Sequence, residues 1–93
     1  MQNEDYIYNG ERVIRVNKKV ARQMYNNGKQ IWLIPDMMRL NNAWQSPCPI
    51  STKDNGGDRE FDARVNEFVY YNCDRVRGHG VKYFVKQSDY DER

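Results

Sequence analysis

Asn9-Gly10 sits between two short runs of β-forming residues, Asp5-Tyr6-Ile7-Tyr8 and Glu11-Arg12-Val13-Ile14-Arg15-Val16. Asn-Gly supplies the two positive φ angles of a type I′ turn, whose twist matches that of paired strands. A two-residue loop dictates the register, with Tyr8 opposite Glu11 and Tyr6 opposite Val13. Ile7, Ile14 and Val16 then share the other face, which is expected to be the buried one.

The next segment changes period. Asn17 is a candidate N-cap, residues 18–27 read as a helix, and Gly28 is its C′ stop. Val20, Ala21, Met24 and Tyr25 form the apolar stripe, while Lys18, Arg22 and Asn26 fall on another face with Lys19 beside them. Gln30-Ile31-Trp32-Leu33-Ile34, ended by Pro35, suits a strand buried on both faces and central in a sheet. Residues 35–57 show no clear period; a loop of this length in a small domain is usually functional or partly mobile. Asp58 is a candidate N-cap for a second helix that runs through about Cys73, with Phe61, Val65, Phe68 and Val69 as its stripe. Val81-Lys82-Tyr83-Phe84-Val85-Lys86 alternates and reads as a strand, taken as an edge strand guarded by lysines.

The order is a β-hairpin followed by α-β-loop-α-β. It predicts an α+β fold, a small two-layer sandwich of three to four strands with two helices on one face. Residues 1–86 form one domain and 87–93 a frayed, charged tail. The 93 residues leave little room for a second core, and the 13% aromatic content argues against disorder.

Charge and composition exclude several classes. No apolar run approaches the ~20 residues of a membrane-spanning helix, so no membrane partner is expected. The acidic start, Met1-Gln2-Asn3-Glu4-Asp5, does not read as a signal peptide, and a bacterial cytoplasmic location is expected. Cys48 and Cys73 are then expected as reduced thiols, with one disulfide open in an oxidising compartment. Two cysteines and one histidine, His79, fall short of a structural zinc set. No metal or cofactor is expected. The segment Asp54-Asn55-Gly56-Gly57-Asp58 lacks the alternating acids and closing Glu of a calcium loop, and it reads as a turn. The net charge of +2 is too small to imply nucleic acid by itself.

Four surfaces carry candidate function. Lys18, Lys19, Arg22 and Lys29 could neutralise phosphates or dock an acidic protein, and Arg75 and Arg77 could join them, although a solvated helix face explains these residues as well. Trp44, flanked by Arg39, Asn41 and Asn42, could anchor a partner or stack on a base; it could equally fold back as a lid on the core. His79, in Arg75-Val76-Arg77-Gly78-His79-Gly80, is the one candidate for a catalytic base, as in a small ribonuclease, yet no acid partner is evident, and a histidine between glycines is usually just part of a turn. Tyr70 and Tyr71 straddle the boundary of their helix's apolar face; their rings are expected to pack with the hydroxyls in solvent, and interface contact is the alternative.

Three runs carry a resemblance. Val16-Asn17-Lys18-Lys19-Val20-Ala21-Arg22-Gln23-Met24-Tyr25-Asn26-Asn27-Gly28-Lys29-Gln30-Ile31-Trp32-Leu33-Ile34-Pro35, Met38-Arg39-Leu40-Asn41-Asn42-Ala43-Trp44 and Phe61-Asp62-Ala63-Arg64-Val65-Asn66-Glu67-Phe68-Val69-Tyr70-Tyr71-Asn72-Cys73 resemble small uncharacterised proteins encoded by phages and integrative elements of Gram-positive gut bacteria. The resemblance implies a mobile-element origin and carries over no catalytic residue. Short accessory proteins of such elements often act on host defence. The leading expectation is therefore a non-enzymatic accessory protein that binds a host protein, as an inhibitor or modulator of a defence system. The alternatives are a nucleic-acid-binding module using the basic helix, and a small ribonuclease centred on His79. Monomer and homodimer are both open.

Overall fold

Residues 5–8, 10–36, 47–73 and 80–92 are described in the structure, a computed structural model. Strands β1 (Asp5–Tyr8) and β2 (Glu11–Val16) form the expected hairpin, with Tyr8 opposite Glu11 and Tyr6 opposite Val13. Gly10 takes φ of 81°, as the turn demands.

Helix α1 (Lys18–Asn26) begins where Asn17 accepts a hydrogen bond from the Val20 backbone N–H at 2.9 Å. It ends at Gly28, whose φ of 84° lets Gly28 N–H reach Tyr25 O and Lys29 N–H reach Met24 O. Ala21, Met24 and Tyr25 are buried, and Val20 packs beside them.

Strand β3 (Ile31–Pro35) is buried along its whole length and lies inside the sheet, as its continuous apolar run requires. Next come β4 (Cys48–Ile50), α2 (Phe61–Asn72), β5 (Val81–Lys86) and α3 (Gln87–Asp91). The five strands form one antiparallel sheet in the order β1-β2-β5-β3-β4.

The α+β class stands, but four details differ from the sequence reading. There are five strands rather than three or four, because Cys48–Ile50 pairs with β3 inside the aperiodic stretch. Three residues with a central Pro carry no periodic signal. Strand β5 is not an edge: it pairs with β2 on one side and β3 on the other. Its lysines guard nothing there; Lys82 is buried, and Lys86 meets Glu11 at 3.2 Å. Helix α2 starts at Phe61 with Glu60 rather than Asp58 as its N-cap, because residues 51–60 are wound into turns that include Gly57 N–H to Asp54 O and Arg59 N–H to Gly56 O. Finally, residues 87–91 of the expected tail form α3. Tyr90 packs on the main core, and Lys29 lies 3.7 Å from Asp89 and 3.8 Å from Glu92.

The registers sort the sheet into two faces. On one, Ile14, Val16, Ile31, Leu33, Ile50, Tyr83 and Val85 meet α1 and α2 through Ala21, Met24, Tyr25, Phe61 and Val65. The opposite face carries Val13, Trp32, Ile34 and Phe84, with Tyr8 at the margin, edge-on to Trp32 at 6.2 Å. Ile7 belongs to the first face by register, yet it is 67% exposed. It sits on β1, the strand at the edge of the sheet. Burying a Leu, Ile or Phe side chain contributes about 1.5–3 kcal/mol, so the fully buried Ile31, Leu33, Ile34 and Phe84 are leading contributors to the core.

Candidate functional site: the cleft beside helix α2

Helix α2 packs on the sheet through Phe61 and Val65, and beside it a cleft opens towards β4. Its stripe Arg64, Phe68, Tyr71 and Asn72, at i, i+4, i+7 and i+8, faces Leu33, Cys48 and Ile50 across a cleft of about 300 Å³. Glu67 completes the lining. The outer strand β4 is three residues long and carries Pro49, so it is too slight to fill the gap.

Arg64 forms one wall of this cleft and holds its neighbourhood together. Its guanidinium donates to both oxygens of Asp54, at 2.8 and 3.1 Å. It also donates to Ser51 O at 3.0 Å and to Tyr25 Oη at 3.3 Å, while Tyr25 Oη donates to Arg59 O. One residue therefore ties the 51–60 turns, α1 and α2 to each other. The two-pronged contact holds the Asp54 carboxyl below the usual carboxylate range, helped by N–H donors from Gly56 and Ser51. Two glycines make room for the clamp. A Cβ on Gly56 would lie 2.9 Å from Arg64, and one on Gly57 would lie 2.0 Å from the Thr52 carbonyl oxygen. From sequence the segment reads as a plain turn, and no local pattern marks Arg64. The paired glycines are the available signal that something passes close to that backbone.

Beyond the cleft, Tyr70 and Tyr71 stand on the exposed side of α2. They are 68% and 74% exposed, with ring centroids 4.9 Å apart in an edge-to-face arrangement. The sequence places them at the boundary of the apolar face; the structure turns both towards solvent, and Tyr71 also lines the cleft.

The thiols are poorly suited to nucleophilic work. Burial pushes the Cys48 thiol up, only partly offset by Arg64. Burial and then Asp36 push Cys73 up as well. Both are free thiols. Cys73 Sγ donates to Gly80 O at 3.1 Å. Gly80 and Asp36 exchange two further bonds, each 2.9 Å. These contacts fasten the ends of α2, β3 and β5 to one another. Tyr83 beneath α2 is pushed up to about 12 by burial, so its hydroxyl stays protonated at neutral pH.

The basic helix does not present its four cations as one surface. Lys18 and Lys19 are exposed on the first turn. Arg22 instead donates to Asp62 on α2 at 2.9 Å and stacks 5.9 Å from the Phe61 ring, and Lys29 leans on α3. The Arg22 contact holds the Asp62 carboxyl below its usual range. Arg39, Asn41, Asn42, Trp44, Arg75, Arg77 and His79 lie outside the described residues. Among the described residues no group of three His, Cys, Asp or Glu is placed to hold a metal ion, and no helix is long and apolar enough to cross a membrane. Comparison with protein-family models, with curated proteins and with solved structures finds no match.

Proposed function

We propose that this protein is a non-enzymatic accessory protein of a phage or integrative element that acts in the bacterial cytoplasm by binding a host protein, as an inhibitor or modulator of a defence system. The observation that carries the binding role is the pair of adjacent exposed tyrosines beside an open cleft. Tyrosine offers a large, rigid contact surface with little rotamer entropy to lose, and such residues dominate the energetics of protein interfaces. The cleft beside them is rimmed by Arg64 and Glu67, which offer the partner polar groups, while Leu33 and Ile50 behind them are already buried. The mobile-element origin rests on the three runs of resemblance.

The nucleic-acid reading has weaker support. Phosphate binding needs clustered, available cations. Arg22 and Lys29 are engaged with Asp62, Asp89 and Glu92, which leaves Lys18 and Lys19 as the exposed basic pair of α1.

The test is affinity capture from a lysate of a Gram-positive gut bacterium, with wild type and a Tyr70→Ala/Tyr71→Ala variant compared side by side. A protein held by wild type and lost by the variant supports the reading. Equal capture by the two would remove α2 from it.

A further inference from the structure

The geometry points to Asn55 as a site of spontaneous backbone-mediated deamidation, gated by the Asp54 carboxylate. Three Asn-Gly steps occur in the sequence, at 9–10, 27–28 and 55–56. Such a step is intrinsically reactive because glycine leaves the following amide nitrogen unhindered. That nitrogen attacks the carbonyl carbon of the Asn carboxamide. A new bond between the two closes a succinimide ring, the bond from that carbon to the carboxamide nitrogen breaks, and ammonia leaves with the proton that the backbone amide gave up. Water then opens the ring to aspartate or isoaspartate.

The fold treats the two described steps differently. Asn27 caps α1, and its neighbour Gly28 donates to Tyr25 O while Lys29 donates to Met24 O. Freeing the Gly28 nitrogen requires unwinding the end of a helix whose Met24 and Tyr25 are buried. Asn55 is exposed, in a turn between β4 and α2. The Gly56 N–H is held at 2.9 Å by a single side-chain acceptor, Asp54 Oδ1. A hydrogen bond to a carboxylate opposes loss of the amide proton, so it protects the step. Arg64 keeps that carboxylate in place from the other side. Local opening of this turn breaks the Gly57 N–H to Asp54 O bond and nearby side-chain contacts, and it leaves the sheet intact.

The modification bears on the cleft. A carboxylate at position 55 adds a second negative charge beside Asp54, and isoaspartate adds a backbone methylene inside the Asp54–Gly57 turn. The inserted methylene shifts the turn that carries Asp54, and so loosens the clamp through which Arg64 forms the cleft wall.

The test uses the intact protein incubated at mildly alkaline pH, then digested and mapped by mass spectrometry. Folded wild type should gain the amide-to-acid mass at Asn55 before Asn27, whereas denatured wild type should convert both at similar rates. Asp54→Ala, with its fold checked by circular dichroism, should convert Asn55 several-fold faster than wild type. Conversion of Asn27 first, or together with Asn55, in the folded protein would overturn the assignment. So would an unchanged Asn55 rate in a folded Asp54→Ala protein. If that variant fails to fold, the ordering of the two sites in wild type decides the matter alone.

Discussion

Replacing Arg64 with Met keeps most of the aliphatic stem and removes the guanidinium. Four hydrogen bonds go with it: two to Asp54, one to Ser51 O and one to Tyr25 Oη. Breaking a fully buried ion pair costs about 3–5 kcal/mol, while an exposed pair is worth about 0–1 kcal/mol. Arg64 is 14% exposed and Asp54 35%, so this pair lies between those limits, with solvent screening on the aspartate side. We expect a loss of about 2 kcal/mol at pH 7. For a domain this size that lowers Tm by roughly 8–16 °C. The pH dependence separates the charge contribution from packing. The Asp54 carboxyl is depressed in the folded state, so its contribution is fully present above its unfolded value of about 3.9 and is lost as pH falls through the lower folded value. The gap between wild type and Arg64→Met should narrow steadily as pH falls from about 5 to about 2. Thermal melts across that range provide the assay. No gap at pH 7, or a gap that stays constant down to pH 2, would refute the clamp.

Further outcomes follow from the same contacts. Gly57→Ala places a methyl group 2.0 Å from a backbone oxygen, so the turn must shift; the expected loss is about 1–3 kcal/mol, read from denaturant melts. Phe84→Ala empties a fully buried position between β2 and β3 and should cost about 3–5 kcal/mol, more than any substitution at exposed Ile7. Fluorescence anisotropy with labelled DNA and RNA should show no binding at physiological salt, because two of the four basic residues are engaged within the fold; binding that persists there and disappears in Lys18→Ala/Lys19→Ala would reverse the ranking of the two readings.

Much of the fold was legible because local chemistry decides it. The Asn-Gly turn specifies its own register, and Asn17 and Gly28 bracket α1 through bonds that reach only three to five residues. Elements decided by distant partners were not legible. Strand β4 exists because Ile31 and Leu33 offer it a ladder, and its own three residues carry no signal. The alternation of Lys82 and Lys86 looks like edge protection until β2 and β3 flank it. Helix α3 is polar in sequence and is anchored by Tyr90 and by Lys29, a residue far away in sequence. The candidate site behaves likewise. Arg22 finds Asp62 forty residues away, which no local pattern reveals and which dissolves the basic face inferred from spacing. Tyr70 and Tyr71 were visible as boundary residues, but their exposure is decided by tertiary packing. Trp44 and His79, prominent in the sequence, lie outside the described residues.

Hydrogen exchange of the purified protein, alone and with the partner recovered by capture, tests the central claim most directly. A partner seated on the tyrosine pair and cleft should slow exchange in α2, from Glu67 to Asn72, and along Cys48–Ile50, leaving the first turn of α1 unchanged. Protection confined to α1 around Lys18 and Lys19, or no protection in α2, would contradict the account.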